Sequence, residues 1–336
     1  MFSTSKLGYI LVIIIFMGSV AILYQIQLTR LHDKLIILEH HQEKFQSKEK
    51  QILKKPTLTD DDQLILYNRV PKTGSTSFVG VAYDLCKKNK FHVLHVNITA
   101  NSHVVTLENQ VKFATNVSNW ESMKPALYHG HFAFLDFSKF GMPKPLFINL
   151  IRKPLERFVS YYYFVRYGDN FRPYLVRKKH GNTVTFDECV EKQLSDCDPN
   201  NMWLQIPFFC GHSANCWKPG NKWALNEAKK NLANNYFLVG ITEELQDFIQ
   251  VLELSLPKFF KGASDHYLSS NKSHLRRTVQ KDLPTEETVD KIKASPVWQM
   301  ENELYEFAVE QFHFTRKSLL RNKEQQVMYE KIRPKM

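Results

Sequence analysis

Cysteine is scarce in this chain: five among 336 residues, with no two at CxxC spacing. No histidines stand near them at zinc-finger intervals, which excludes the common structural zinc sites. There is no basic tail and no RRM-like RNP string, so a formal charge of +11 does not point to a nucleic-acid binder. A Walker loop is missing too, since no GxxxxGK[ST] string occurs. No internal repeat is visible.

What remains is a cationic chain rich in apolar residues. Hydrophobic residues make up 43% and aromatic ones 13%, enough for one large core or two small ones. The charge calls for an acidic partner, and with nucleic acid disfavoured an anionic membrane or a polyanionic sugar fits better.

Residues 8–24, GYILVIIIFMGSVAILY, carry no charge and are at the short end for a membrane span. They read as an uncleaved signal anchor behind a cytoplasmic tail at 1–7; a cleaved signal peptide ending near Ser19-Val20-Ala21 is the competing reading. Leu28, Leu31, Leu35 and Leu38 then open an a/d seam that continues through Gln42, Phe45, Glu49 and Ile52. Residues 25–60 are therefore expected to form a coiled-coil stem, either a single amphipathic helix or a self-associating stalk. Pro56 and the acids Asp60, Asp61 and Asp62 end it, and a lumenal globular domain is expected over 61–336.

Asn97, Asn116 and Asn271 each begin a glycosylation sequon. Their agreement with the anchor points to the secretory pathway. Two local cysteine pairs, Cys189 with Cys197 and Cys210 with Cys216, leave Cys86 over. In an oxidising lumen each pair would close a short loop and stabilise by roughly 2–3 kcal/mol. Other pairings of the five stay open.

Within the domain, strand-like runs at 64–70, 91–96, 126–134, 146–151 and 236–241 alternate with helical patterns. The helices are expected at 76–88, 104–114, 154–166, 222–232, 243–256, 285–294 and 297–320. Such alternation predicts an α/β fold, a central mostly parallel sheet flanked by helices. Ligands in such sheets bind outside the carboxyl ends of the strands.

Three motifs fall at those ends. LILYNRV runs into PKTGSTS at 71–77, where Lys72 adds a point charge, Gly74 permits a turn, and Thr73, Ser75 and Thr76 add hydroxyl donors. A turn of this kind opening into a helix can hold a phosphate; a hydroxyl-rich helix cap is the plainer alternative. At 146–163, LFINLIRKPLERFVSYYY ends a buried strand in Arg152, places Pro154 at a helix start, and carries Ser160 two turns on. Arg152 and Ser160 could grip a second phosphate, unless Arg152, Glu156 and Arg157 form an exposed ion-pair ladder. In Tyr128-His129-Gly130-His131 the two imidazoles stand at i and i+2 of a strand and share a face. They could form a metal pair or an acid/base pair, or one could be a core residue. A fourth feature, the run 166–180, sets Arg166, Arg172, Arg177, Lys178 and Lys179 against Asp169. It is either a solvated face or a cleft for anionic sugar.

Two phosphate grips eighty positions apart resemble the paired phosphosulfate motifs of the sulfotransferases. The strings NRVPKTGSTSF, YHGH, IRKPLERFVSYYYF, WLQIPFFCGH, YFLVGITEEL and KSHLR resemble the heparan sulfate 2-O-sulfotransferase family, over residues 64–336. Lys153 departs from the Asp or Asn often found before that proline. The resemblance implies a P-loop-like PAPS-binding fold and sulfuryl transfer from PAPS to the 2-O of iduronic, less often glucuronic, acid in heparan sulfate. It implies that Lys72, Thr73, Gly74, Ser75, Thr76, Arg152, Ser160, Tyr267, Ser273, Thr278 and Lys281 hold the cofactor. His131 would be the principal base, His129 its helper, and Lys72 would stabilise charge on the bridging oxygen, with no metal. Arg69, Arg172 and Arg177 would face the acceptor, and Asn97 and Asn116, but not Asn271, would carry glycans. A type II Golgi membrane protein, a homotrimer, and association with the uronosyl C5-epimerase are implied as well. The uronyl 2-O-sulfotransferases of dermatan and chondroitin share the fold and are the nearest alternative. A non-catalytic heparan-binding protein is the other.

Overall fold

The computed structural model describes residues 62–97, 103–270, 278 and 280–332, with side chains as far as 320, and ahead of them only Met17, Gln25, Gln27 and Leu28, all helical. The expected anchor at 8–24 and stem at 25–60 lie outside the described residues, those four positions apart, and so do Ser273 and Asn271. Among the described residues no helix is long and apolar enough to cross a membrane. The chain divides into two units, Met1–Lys55 and Pro56–Met336, and the second carries the sheet.

Five strands form one sheet: β1 (Leu64–Asn68), β2 (His92–His95), β3 (Ala126–Gly130), β4 (Leu146–Ile151) and β5 (Tyr236–Ile241). All neighbours are parallel, in the order β2-β3-β1-β4-β5. β1 and β4 are buried beyond their first residues. Continuous apolar runs such as LFINLI suit strands covered on both faces. From β1 the chain turns through α1 (Ser75–Asn89) toward β2 on one side; from β4 it proceeds toward β5 on the other. The crevice between the carboxyl ends of β1 and β4 is thus the topological switch point.

That crevice is held open by side chains. The β1–β4 pairing stops at Tyr67 and Ile148, whereas β1 stays paired with β3 through Asn68 and Gly130. Beyond Ile148 the Asn149 amide donates to the Asn68 main-chain oxygen at 2.8 Å, and the Tyr236 hydroxyl donates to Asn68 Oδ1 at 2.9 Å. All three polar groups are buried and each is bonded, as burial requires.

α1 lays Phe78, Val81, Ala82 and Leu85 against the core at helical spacing. Phe78 packs edge-on to Tyr67 and to Phe248 of α7 (Leu245–Ser255), each with centroids 5.2 Å apart. The remaining helices are α2 (Leu107–Asn119), α3 (Pro154–Tyr167), α4 (Phe186–Glu191), α5 (Gln205–Cys210), α6 (Lys222–Asn235), α8 (Pro257–Phe260), α9 (Ala263–Ser269), α10 (Glu286–Lys293) and α11 (Pro296–Ile332). Both cysteine pairs are joined, Cys189 to Cys197 and Cys210 to Cys216, and Cys86 is free.

Some elements depart from the sequence expectation for local reasons. The strand expected at 126–134 stops at Gly130, because β1 turns away at Arg69 and leaves no partner; Ala133 and Phe134 bond instead to the oxygens of His103 and Phe208. The helix expected at 104–114 begins only at Leu107, where the Thr106 hydroxyl accepts the Asn109 N–H, and it runs on to Asn119. α7 starts at Leu245 rather than 243, after a 3-10 turn at Thr242–Glu244. α4, α5, α8 and α9 are too short to show a period in sequence.

Candidate active site

The loop after β1 makes two left-handed turns in three residues, Lys72 at φ 68° and Gly74 at φ 72°. Lysine adopts this conformation at a cost of about 1 kcal/mol, and strain of this kind collects at functional sites. The Thr73 hydroxyl donates to the Val70 oxygen at 2.9 Å and so braces the loop. Thr242, at the end of β5, places its hydroxyl 2.9 Å from the Thr73 oxygen and 3.0 Å from that of Ile151. No acidic residue occupies the first turn of α1, which leaves its N-terminal field open to an anion.

Across the switch point, Arg152 leaves β4 and donates through Nη1 to the Lys72 main-chain oxygen at 3.2 Å. Its other terminal nitrogen reaches Glu156 at 3.4 Å. The exposed ladder does not form, because Arg157 is 1% exposed and turns inward to donate to the Met202 oxygen. Burial first, and the Arg152 charge second, hold the Lys281 ammonium below the usual lysine range. Lys72, Gly74, Ser75, Thr76, Arg152, Ser160, Tyr267, Thr278 and Lys281 all line one cleft of about 1530 Å³. Arg69 and His131 stand in the same wall.

The two histidines are placed differently from one another. His131 Nδ1 is 2.7 Å from the Arg69 main-chain oxygen. A carbonyl only accepts, so the neutral ring carries its proton on Nδ1 and leaves Nε2 with a lone pair. His129 is 3% exposed and lies beneath the cleft wall rather than in it. Its Nδ1 accepts from Arg69 Nη1 at 3.3 Å, and its Nε2 faces the Tyr83 hydroxyl at 2.9 Å. Burial first, and the Arg69 guanidinium second, hold both imidazoles down at about 3. Among the described residues no group of three or more His, Cys, Asp or Glu side chains is arranged for a metal.

Arg69 is the hub. Besides His129, it donates through Nε to Ser75 Oγ at 3.2 Å and through Nη2 to Thr76 Oγ1 at 3.4 Å. The phosphate-type loop and the histidine pair are therefore one hydrogen-bonded unit. Lys72 Nζ rests 4.2 Å from the centroid of Phe164, and the Arg177 guanidinium lies 4.3 Å from the same ring.

The basic run resolves into two parts. Arg166 is buried and pairs with Asp196 at 2.8 Å, and Lys179 joins the same carboxylate at 3.1 Å. Asp196 lies outside the run, so sequence inspection of 166–180 missed it. Asp169, 1% exposed, accepts from the Arg172 N–H at 3.0 Å and from Arg177 Nη2 at 3.3 Å. Its backbone bridges to Thr278, which joins the basic loop to the late loop of the cleft.

Residues the sequence reading passed over include Tyr83, His95, Phe164, Gln205 and Thr242. His95 stacks on His129 with centroids 4.9 Å apart and is its register partner at the carboxyl end of β2. Its place at a strand end was the available signal. The others became visible only through long-range packing.

The sulfotransferase family profile matches residues 55–308. The chain is 63% identical over 280 residues to the heparin sulfate O-sulfotransferase of Drosophila melanogaster, covering 82% of this chain and 80% of that one. It is 58% identical to heparan sulfate 2-O-sulfotransferase 1 of Xenopus laevis and 56% identical to that of Homo sapiens, each over 284 residues and the same shares. Two cationic loops meeting across a switch point, with an unprotonated imidazole nitrogen beside them, suit group transfer from a phosphate-bearing donor, and the chain belongs to the sulfotransferase family.

Proposed function

We propose that this protein transfers a sulfuryl group from PAPS to the 2-O of iduronic, less often glucuronic, acid in heparan sulfate. The observation that carries the reading is the convergence of Lys72, Arg152 and His131 on one cleft at the switch point. Similarity to named heparan sulfate 2-O-sulfotransferases supplies the acceptor.

The residues fit the donor. The α1 N-terminus with Lys72, Ser75 and Thr76 would hold its 5′-phosphosulfate, and Arg152, Ser160 and Lys281 its 3′-phosphate, by charge-assisted hydrogen bonds. Tyr267, Thr278 and, outside the described residues, Ser273 complete the set. When bound, PAPS supplies an activated sulfuryl group. His131 Nε2 would take the proton of the acceptor hydroxyl as its oxygen bonds to sulfur and the bond from sulfur to the 5′-phosphate oxygen breaks, releasing PAP with no covalent enzyme intermediate. The Lys72 ammonium neutralises the charge that develops toward the leaving side. His129 acts through Arg69 and Tyr83, holding the hub that orients His131.

Arg69, Arg172 and Arg177 serve the acceptor's carboxylate and sulfate groups in this reading. Support comes from Arg69's place in the cleft wall and from Arg172, whose charge reaches His95. The apolar run at 8–24 and the heptads behind it support a Golgi type II anchor and a trimeric stalk, and the family resemblance supports contact with the uronosyl C5-epimerase. Asn97 and Asn116 are exposed, which suits glycans there.

The test is to incubate the full chain with labelled PAPS and a panel of desulfated glycosaminoglycans, then digest and identify the labelled disaccharides. Label on the 2-O of heparan uronic acid is expected. Label on hexosamine, or on dermatan or chondroitin alone, overturns the acceptor. Bound PAP with no transfer to any acceptor would instead mark a binding protein.

A further inference from the structure

The stretch WLQIPFFCGH, residues 203–212, contributes no group to the cleft. Its helix α5 nevertheless buries an amide where an apolar side chain would pack at lower desolvation cost. Gln205 is 0% exposed. Its Oε1 accepts the Arg152 main-chain N–H at 2.9 Å, and its Nε2 donates to the Arg152 main-chain oxygen at 3.0 Å. These partners assign the amide's orientation, because the flipped amide would oppose donor to donor and acceptor to acceptor.

Arg152 needs such a partner. It stands between the end of β4 at Ile151 and Pro154, which opens α3. On the β1 side no ladder reaches it, since that pairing ended at Tyr67 and Ile148. Toward β5 the last pair is Ile151 with Ile241, so the peptide groups of Arg152 stand just past both ladders at a half-buried position. The Gln205 amide replaces the missing strand at one residue, the residue whose guanidinium enters the cleft.

The amide is itself anchored. Glu301 of α11, 0% exposed, accepts the N–H groups of Leu204 at 2.9 Å and Ile206 at 3.1 Å, gripping the backbone on either side of Gln205. Asn68 donates to the Phe208 oxygen at 3.2 Å, tying the same helix to the end of β1.

We propose that Gln205 is a positioning residue of the donor site: its amide fixes the backbone from which Arg152 reaches the donor's 3′-phosphate, and Glu301 holds the amide in place. This rests on the reading of Arg152 as the grip for that phosphate.

The experiment measures affinity for PAP and for adenosine 5′-monophosphate, which lacks the 3′-phosphate, on the full chain carrying Gln205→Met, Gln205→Asn or Arg152→Ala. Met removes both hydrogen bonds without adding charge; Asn keeps the amide but withdraws it by one methylene. Both Gln205 variants should lower the PAP-to-monophosphate affinity ratio by about tenfold while leaving monophosphate affinity within about twofold of wild type. A thermal melt shows which variants are folded, and if Met is not, Asn carries the measurement. Equal weakening of both nucleotides makes Gln205 merely structural and overturns the proposal. So does an unchanged ratio in a folded Gln205 variant when Arg152→Ala collapses it. If Arg152→Ala itself leaves the ratio intact, the assignment of that phosphate grip falls, and the proposal with it.

Discussion

His131 and Arg69 are joined at the main chain: the imidazole Nδ1 donates to the Arg69 carbonyl oxygen at 2.7 Å. The same arginine's guanidinium donates to His129 Nδ1 at 3.3 Å. One residue therefore sets the two histidines in opposite tautomers. His131 keeps its basic nitrogen free, while both nitrogens of His129 are engaged, the second with Tyr83.

The first prediction follows from that asymmetry. His131→Ala should lower kcat by about 10²–10⁴-fold, the usual worth of a general base, and leave PAP affinity near wild type. His129→Ala should lose less in kcat and more in thermal stability, because it removes a buried ring from the Arg69 hub. Rapid-quench transfer assays and calorimetry on both variants check this. Equal losses of kcat, or lost PAP binding in His131→Ala, would count against the assignment.

A second prediction concerns pH. Both histidines are held at about 3, against 6.5 ordinarily, chiefly by burial and then by the Arg69 charge. His131 is thus already a free base at pH 5, and kcat/KM should show no acid limb near 6.5. A limb with that midpoint, absent in His131→Ala, would contradict the geometry. Stability follows from the same displacement. The folded state binds fewer protons than the unfolded one below about 6.5, so this stabilisation is complete above 6.5 and is lost as the pH falls toward 3. The slope reaches at most about 1.4 kcal/mol per pH unit per histidine. Urea titrations between pH 7 and 4.5 should show the decline.

How much of this was legible in sequence depended on the range of the interaction. Lys72 and Arg152 were readable because a buried strand ends abruptly at each, in a turn or at a helix-opening proline. The pairing of their loops through the Lys72 oxygen spans eighty positions and leaves no local trace. The i, i+2 spacing of His129 and His131 did not reveal that a backbone carbonyl would distinguish them. The bond from the Thr73 hydroxyl to the Val70 oxygen, three residues back, was a local feature that the hydroxyl-rich string did not single out. α4 was too short for periodicity, yet its capping box of Thr185 and Glu188 was present to be read.

Gly130 separates the two histidines for lack of space. A Cβ there would stand 2.5 Å from the Val96 main-chain oxygen and 3.0 Å from Val96 Cβ. A backbone atom yields little, so Gly130→Ala must push β3 away from the end of β2. Destabilisation of about 1–3 kcal/mol is expected, the usual cost of overpacking. The displaced neighbours are His129 and His131, the second of them proposed as the base, so kcat should fall by more than PAP affinity does. Denaturant titration alongside kinetics measures both, and wild-type values for both would show that the strand ends are looser than the packing indicates.

The disulfide between Cys210 and Cys216 closes a loop at the end of α5. Trp203 donates to the Cys216 oxygen at 2.9 Å and Trp217 to the Gly211 oxygen at 3.1 Å, so the flanking residues also hold the loop. The amide of Asn231 also clamps the oxygens of Phe209 and Cys210, at 3.0 and 3.1 Å. A Cys210→Ser, Cys216→Ser double variant should therefore keep the fold and lose about 2–3 kcal/mol through the unfolded state. For a domain of this size that corresponds to a fall in Tm of roughly 3–5 °C. PAP affinity should change little, because the bonds from Glu301 and Asn68 that hold α5 against the site do not pass through the sulfurs. A large loss of PAP affinity with an unchanged Tm would reverse that order, making the disulfide the element that places α5 and the hydrogen bonds secondary to it.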